Sequence, residues 1–467
     1  MLKTRKKLQD NSFLWGLLVL GFPVALQNLL ISSMSAVDTL MVSRMGENVL
    51  GAVGICNQYN QLFNSVLYGF SSTGALFIAQ YWGVREERGI TRSYGIMMVW
   101  TAVIGLLFTI PAIFAPEIVM KIYTDKAEIQ AIGIRYLRLA GISYVFQFLI
   151  MGVSTFLRSI EKVKLPLISS AIAVFTNSFL NWVLIFGKLG MPALGVEGAA
   201  IATILSNGLN FTFLIAVCVI KKFPYMWNLR AALDWKGGFV MDFVKKLLPI
   251  FANEMLMGLA LAIINVILGR QPEQAIAALS IFRVLEGFIY AFFNGFFNAA
   301  SVMVGKKVGA GKLQGAMEYA KKFAWVCPMV TLIPCILLVL LRNLYPVIFT
   351  IGPEANEYLS VMLIIFMIFG PLRMSNYIQN AVYRAGGQAV YGTTLELVCI
   401  FLLSIPIVWF LGIHLQASYF VVFAAIYFED LIKLPIEIRY TLSGRWVRPV
   451  TDEGKCALIA FKKEYHI

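Results

Sequence analysis

The chain has 467 residues, 59% of them hydrophobic and 14% charged, with mean hydropathy +0.76, against roughly 45–50% apolar and about 25% charged in an ordinary soluble domain. That excludes a water-soluble enzyme with one core, and 35 Phe, 19 Tyr and 9 Trp exclude a disordered chain. The net charge of +14 comes from 39 Lys and Arg in short clusters between apolar runs, which marks the loops of a polytopic membrane protein and excludes a nucleic-acid-binding face.

Taken in chain order, the apolar runs predict twelve spans near 13–43, 50–80, 92–116, 131–157, 164–186, 195–220, 241–268, 275–304, 318–342, 357–384, 390–412 and 416–438. The runs longer than about 20 residues must tilt, kink or project beyond the bilayer. Pro23, Pro249, Pro328, Pro334, Pro371 and Pro406 fall inside them as kink candidates. The apolar run after the basic stretch Met1–Lys7 continues to the length of a full span, so no cleavable signal is expected.

Five of the six cysteines lie in apolar runs, and none shows paired spacing. They read as small buried side chains, not as a disulfide set or a zinc site. With only His414 and His466 available, a histidine-based metal or acid–base centre is not expected, and no catalytic cluster points to an enzyme.

The basic residues set the orientation. One side carries Lys3, Arg5, Lys6 and Lys7, then Arg85, Arg88 and Arg92, Arg158, Lys162 and Lys164, and Lys221, Lys222, Arg230 and Lys236. It continues with Lys306, Lys307 and Lys312, Arg384, and Arg445, Arg448, Lys455, Lys462 and Lys463. The opposite side has only Arg44, Lys121, Lys126, Lys188, Arg270 and Arg342. Both termini are therefore expected in the cytoplasm, with an even number of spans.

The chain also repeats. An offset of 226 residues aligns Pro23 with Pro249, Arg44 with Arg270, Glu47 with Glu273, Gly69-Phe70 with Gly295-Phe296, Gly83 with Gly309, Thr124 with Thr350 and Arg158 with Arg384. The expected organisation is an all-α integral membrane protein of twelve transmembrane helices in two six-helix lobes. They comprise residues 1–220 and 241–440, joined by a cytoplasmic linker at 221–240 and followed by a cytoplasmic tail at 441–467. Lobes with even span numbers insert in the same orientation, so a pseudo-twofold along the membrane normal relates them, as in transporters that rock two halves about a central site.

Three stretches carry a family likeness: PVALQNLLISSMSAVDTLMVSRMG at Pro23–Gly46, QYWGVREERG at Gln80–Gly89, and NSFLNWVLIFGKLGMPALGVEGAAIAT at Asn177–Thr203. They resemble the multidrug and toxic compound extrusion (MATE) transporters of the MOP flippase superfamily, in particular NorM- and DinF-like members. The Gly-x-x-x-Asp-Arg-x-Gly-Arg pattern of the major-facilitator proteins is not present in the loop occupied by GVREERG. The resemblance implies a bacterial inner-membrane antiporter in which Na⁺ or H⁺ enters while amphipathic, mostly cationic compounds leave. It works as a monomer among membrane lipids, with no cofactor beyond the coupling ion.

Asp38 is the sharpest site signal, because a carboxylate at bilayer depth costs at least ~2.5–3.5 kcal/mol and must be paired, protonated or cation-bound. Counting inward from the outer ends of their spans at ~1.5 Å per residue places Asp38, Asn177, Asn181 and Thr203 roughly 9–15 Å below the outer boundary. Asn177 and Asn181, four residues apart, share one helix face. The resemblance assigns these four positions to cation or proton coupling, with Asp38 as the ligand if the ion is Na⁺. The alternative is a structural Asp that ties three helices together.

In the second half, Glu254 resembles an acid that NorM-type members use for a cation, whereas the place of its expected partner acid falls near Arg373. Arg283 and Glu286 form an i, i+3 pair. Glu254, Arg283, Glu286 and Arg373 read either as a second cation site or as a structural ion-pair network. Glu429, Asp430 and Lys433, near the inner end of the twelfth span, read as a cytoplasmic salt-bridge latch.

Asn57, Asn60, Gln61 and Asn64 form a polar stripe that turns either toward a cavity or toward neighbouring helices. Asn294, Asn298, Asn376 and Asn380, with Tyr144 and Gln147, are further candidates to line a central space. Met255, Met257 and the phenylalanines between Phe292 and Phe297 suit either a pliable pocket or plain packing. Two rival functions stay open: a lipid-linked oligosaccharide flippase, which would want cationic groups such as Arg283 and Arg373 for a pyrophosphate, and a membrane enzyme or scaffold without transport.

Overall fold

A computed structural model of the protein describes residues 2–235, 237–270, 272–349 and 352–465. Sequence features at Lys236, Thr350 and His466, and the side chains of Lys3, Arg5, Lys6, Lys7, Glu47 and Glu273, lie outside what is described. The described residues form helices and no strand.

The long helices are α1 (Leu2–Ser43), α2 (Glu47–Val84), α3 (Glu87–Phe114), α4 (Ala127–Ser159), α5 (Lys164–Phe186) and α6 (Gly195–Ile220). They continue with α7 (Gly237–Leu268), α8 (Glu273–Gly309), α9 (Leu313–Leu340), α10 (Pro353–Gly386) and α11 (Ala389–His414). Among the described residues these eleven are long and apolar enough to cross a membrane. The twelfth, α12, is broken into Tyr419–Ala425 and Phe428–Ser443, and α13 (Asp452–Tyr465) follows as an amphipathic tail helix. Its second piece carries Glu429, Asp430, Lys433 and Glu437, which keep it below the hydropathy of its neighbours.

Prolines act locally. Pro23, Pro249, Pro328, Pro334 and Pro371 sit inside helices that continue past them. Pro406 lies in a short α segment between two π-helical turns, Ile400–Ser404 and Phe410–His414, which re-route the backbone bonds where its N–H is missing. α5 ends on Gly187, whose φ of +65° places it in the left-handed region that favours glycine at a helix end.

Contacts divide the chain into two units. One holds Leu26–Ile78 and Glu86–Phe243, and the other holds Met1–Ala25, Ala79–Arg85 and Val244–Ile467. In the first, Cys56, Tyr59, Phe63 and Leu67 of α2 pack with Leu137, Tyr144 and Phe148 of α4. The Phe63 and Tyr144 rings stack 5.0 Å apart, and the Tyr59 hydroxyl donates to the Phe108 carbonyl at 2.8 Å. These aromatic contacts bury one face of α2, and its polar stripe lies on the adjoining flank.

In the second unit, the ends of α2 and α8 cross on glycine. A Cβ at Gly83 would strike the Lys306 carbonyl, and one at Gly309 would strike the Gln80 carbonyl. Both glycine and contact partner are repeat mates at the 226-residue offset, so the crossing is symmetric in sequence. Gln80 extends it by donating to the Ala385 carbonyl at 2.8 Å and accepting from the Val450 N–H at 2.8 Å.

Candidate functional site

The C-terminal half of α1 is tied to α5 by two polar rungs. Gln27 donates to the Ser170 hydroxyl at 2.8 Å, and Asn181 donates to the Asp38 carboxylate at 2.7 Å. The rungs are eleven residues apart on both helices, about three turns, so the helices run in register. Asp38 is half-buried, while Asn177 and Asn181 are 0% and 1% exposed.

From Asp38 the bonds continue along α5 and across to α6. The Asn181 amide also reaches the Asn177 oxygen at 3.0 Å. Asn177 in turn donates to the Thr203 hydroxyl at 3.4 Å and to the Ser206 hydroxyl at 3.3 Å on α6. The four positions expected to converge thus form one chain of hydrogen bonds across three helices. Ser206 was not among them, although it stands three residues from Thr203 on the same helix face. Tyr136 of α4 also interacts electrostatically with Asp38.

Two features fit a cation. The Asn181 oxygen is buried without a hydrogen-bond partner, although Asn181 donates through its nitrogen to two acceptors. A buried acceptor without a donor is costly unless a cation or proton carrier completes it. A carboxylate beside amide and hydroxyl oxygens also supplies the hard donors that Na⁺ favours, as other hard cations do. One turn after Asp38, Val42 packs with Val53 and Val196, shielding that flank with apolar side chains.

The acids and bases of the second unit do not form the single group expected. Glu254 pairs with Arg384 at 2.9 Å, a residue read from sequence as a cytoplasmic loop charge and the repeat mate of Arg158. Arg283 pairs with Glu286 at 2.7 Å and donates to Asn265 at 3.3 Å. Arg373 pairs with Asp430 at 2.8 Å and lies 3.8 Å from Glu429. The Tyr427 hydroxyl contacts Glu286 at 3.4 Å, and the Arg373 guanidinium stands 4.4 Å over its ring. Glu254 is therefore set apart from Arg283 and Arg373.

The salt bridges expected among Glu429, Asp430 and Lys433 are present, and they extend to a further helix. All three are buried: Lys433 pairs with Glu429 and Asp430, and the two acids also face Arg373, a mid-helix residue of α10. They follow the break at Ile426–Tyr427: Phe428 begins a new helical segment, and Glu429 is its second residue.

The cavity candidates separate. Asn57 and Gln61 are exposed and Asn60 and Asn64 half-buried. Asn64 bonds to Asn60 within the same helix, so the stripe is not spent on bonds to a neighbouring helix. Tyr144 is 1% exposed and belongs to the aromatic core, not to an open space. Gln147 donates to Ser143 at 3.2 Å. Asn294 accepts from the Tyr377 hydroxyl at 2.9 Å, and Asn298 is half-buried. Asn376 and Asn380 are buried and bind acids, Asp430 at 2.9 Å and Glu396 at 2.6 Å.

Comparison with known proteins agrees with this architecture. The MatE family model matches residues 23–183 and 249–410, two stretches that begin 226 residues apart. "Uncharacterized transporter YisQ" of Bacillus subtilis is 23% identical, over 98% of this chain and 95% of the relative. "Probable multidrug resistance protein NorM" of Thermotoga maritima is 22% identical, over 92% of both chains. Among solved structures, the outward-facing conformation of a multidrug resistance MATE family transporter of the MOP superfamily superposes with a TM-score of 0.81 at 16% identity, covering 96% of both chains.

Proposed function

This chain belongs to the MATE family of multidrug efflux transporters, and from that premise we propose that it is an antiporter driven by inward movement of Na⁺ or H⁺ and coupled through Asp38. The observation that carries the reading is the bond chain Asp38–Asn181–Asn177–Thr203, with its buried acceptor left open at Asn181. A cation or proton arriving at Asp38 competes with Asn181 for the carboxylate. It thereby changes what ties α1 to α5 and α6, and alternating access needs a contact of that kind whose strength depends on the bound ion.

The proposed cargo is amphipathic and mostly cationic, and the carrier works in the plasma membrane with both termini in the cytoplasm. The flippase alternative is weakened by Arg283 and Arg373, both of which are matched by carboxylates and do not offer a bare cationic surface for a pyrophosphate. Ethidium extrusion from cells, with Na⁺ and pH gradients imposed separately, tests the reading. Gradient-dependent extrusion under at least one of them is expected. Failure of both gradients to drive extrusion, together with translocation of a lipid-linked oligosaccharide in vesicles, would overturn it.

A further inference from the structure

Within the C-terminal unit, α10, α11 and α12 enclose a cluster of charge that the Asp38 reading does not use. Its acids are Glu429, Asp430 and Glu437 of α12, and Glu396 of α11, which interacts with both Lys433 and Glu437. Its bases are Arg373 and Lys433. With all six ionised, the cluster carries two carboxylates in excess.

Three of the acids have donors. Asp430 takes Arg373, Lys433 at 3.6 Å and Asn376; Glu429 takes Lys433 at 3.1 Å; Glu396 takes Asn380. Glu437 is different. It is 2% exposed and its Oε2 has no hydrogen-bond partner; Glu429 also has an open Oε2, but its Oε1 takes Lys433, whereas no ion pair among the described residues reaches the Glu437 carboxylate. Asn376 and Asn380 direct their nitrogens to Asp430 and Glu396, leaving both buried amide oxygens unpartnered as well. The cluster is thus rich in acceptors and short of hydrogen.

We propose that this cluster is a proton-binding site separate from Asp38, with Glu437 as the carboxyl that holds the proton. A buried carboxylate without a donor is far costlier than the neutral acid. A proton suits the site better than a metal ion, since no group of three or more His, Cys, Asp and Glu among the described residues is placed to hold one.

The weaker acids facing Glu437 are Tyr383 of α10 and Tyr391 and Cys399 of α11. On α9, which also touches α12, Lys322 pairs with Glu318 at 2.6 Å and Lys321 is exposed. Neither lysine answers Glu437.

Lys433 gives the proton a consequence. It stands four residues after Glu429 and four before Glu437, so it reaches either along one helix face. With Glu437 neutral, Lys433 holds Glu429 and Asp430, as observed. Loss of the proton makes Glu437 a competitor for Lys433 and loosens the pairs at the break in α12. The site thereby links a proton to the geometry of α12, independently of whether Asp38 couples transport.

Infrared difference spectroscopy of the full-length protein in lipid, between acidic and alkaline Na⁺-free buffers, tests this. Wild type and Asp38→Asn are expected to share a protonated-carboxyl C=O band at neutral pH that Glu437→Gln lacks. A neutral amide replacing a neutral acid should also leave the melting temperature of Glu437→Gln near wild type, whereas Asp430→Asn melts earlier. The proposal is overturned if wild type has no such band, if Glu437→Gln retains it, or if Glu437→Gln misfolds or melts as early as Asp430→Asn.

Discussion

Asp38 stands at the half-exposed end of a hydrogen-bond chain whose two asparagines, Asn177 and Asn181, are buried, and that asymmetry separates binding from folding. Asp38→Asn keeps the shape and removes only the charge, so it should fold and insert normally while losing coupling. Asn181→Ala instead removes the shared donor and leaves the Asn177 oxygen without a partner, at a cost of about 1–3 kcal/mol. A lower melting temperature for Asn181→Ala than for Asp38→Asn, in the same detergent, is the expected order. Glu254 and Arg384 behave differently, because removing one partner strands the other: Glu254→Gln should cost roughly 3 kcal/mol, the low end for a broken buried pair since Glu254 is 22% exposed. The double variant Glu254→Gln, Arg384→Met should recover part of that loss in a thermal melt. The convergence of Asp38, Asn177, Asn181 and Thr203 was legible in the sequence, because span ends and a rise per residue fix depth, and four-residue spacing fixes the shared face. The partner of Glu254 was not legible. Basic-residue counting treats Arg384 as a loop charge, and it carries no information on how α10 rotates to bring that guanidinium to α7.

At the scale of elements, the break in α12 decides the chemistry of the second unit. An unbroken helix from Tyr419 would place Glu429 and Asp430 by simple register. The turn at Ile426–Tyr427 starts a new helix instead, and Glu429 becomes its second residue. Run length and hydropathy locate a span but are blind to a two-residue interruption inside it. The α2–α8 crossing was partly legible, since Gly83 and Gly309 stood out as repeat mates, but that each faces the other's helix backbone is set by the packing of the two helices. Gly83→Val should therefore destabilise the protein by about 3 kcal/mol through overpacking. The same change at Gly54, where an added Cβ meets nothing within 4 Å, should cost far less in the same melt, apart from the small helix-propensity difference.

For the whole molecule, composition, charge asymmetry and the internal repeat were enough to predict a two-lobed, twelve-helix membrane protein, and the paired family match follows the same 226-residue offset. Orientation is open to a direct test through native cysteines. Cys456 in the tail helix is exposed, whereas the other five are buried. A membrane-impermeant thiol reagent should label Cys456 in inverted vesicles and leave intact cells unlabelled. Labelling of intact cells at this residue would place the tail outside and reverse the topology.

The most direct test of coupling is dye efflux by wild-type and Asp38→Asn protein at equal membrane abundance, with Na⁺ and pH gradients imposed one at a time. The account predicts that at least one gradient drives the wild type and that neither drives Asp38→Asn. Wild-type rates from the Asp38→Asn carrier under whichever gradient powers the unmodified protein would contradict it.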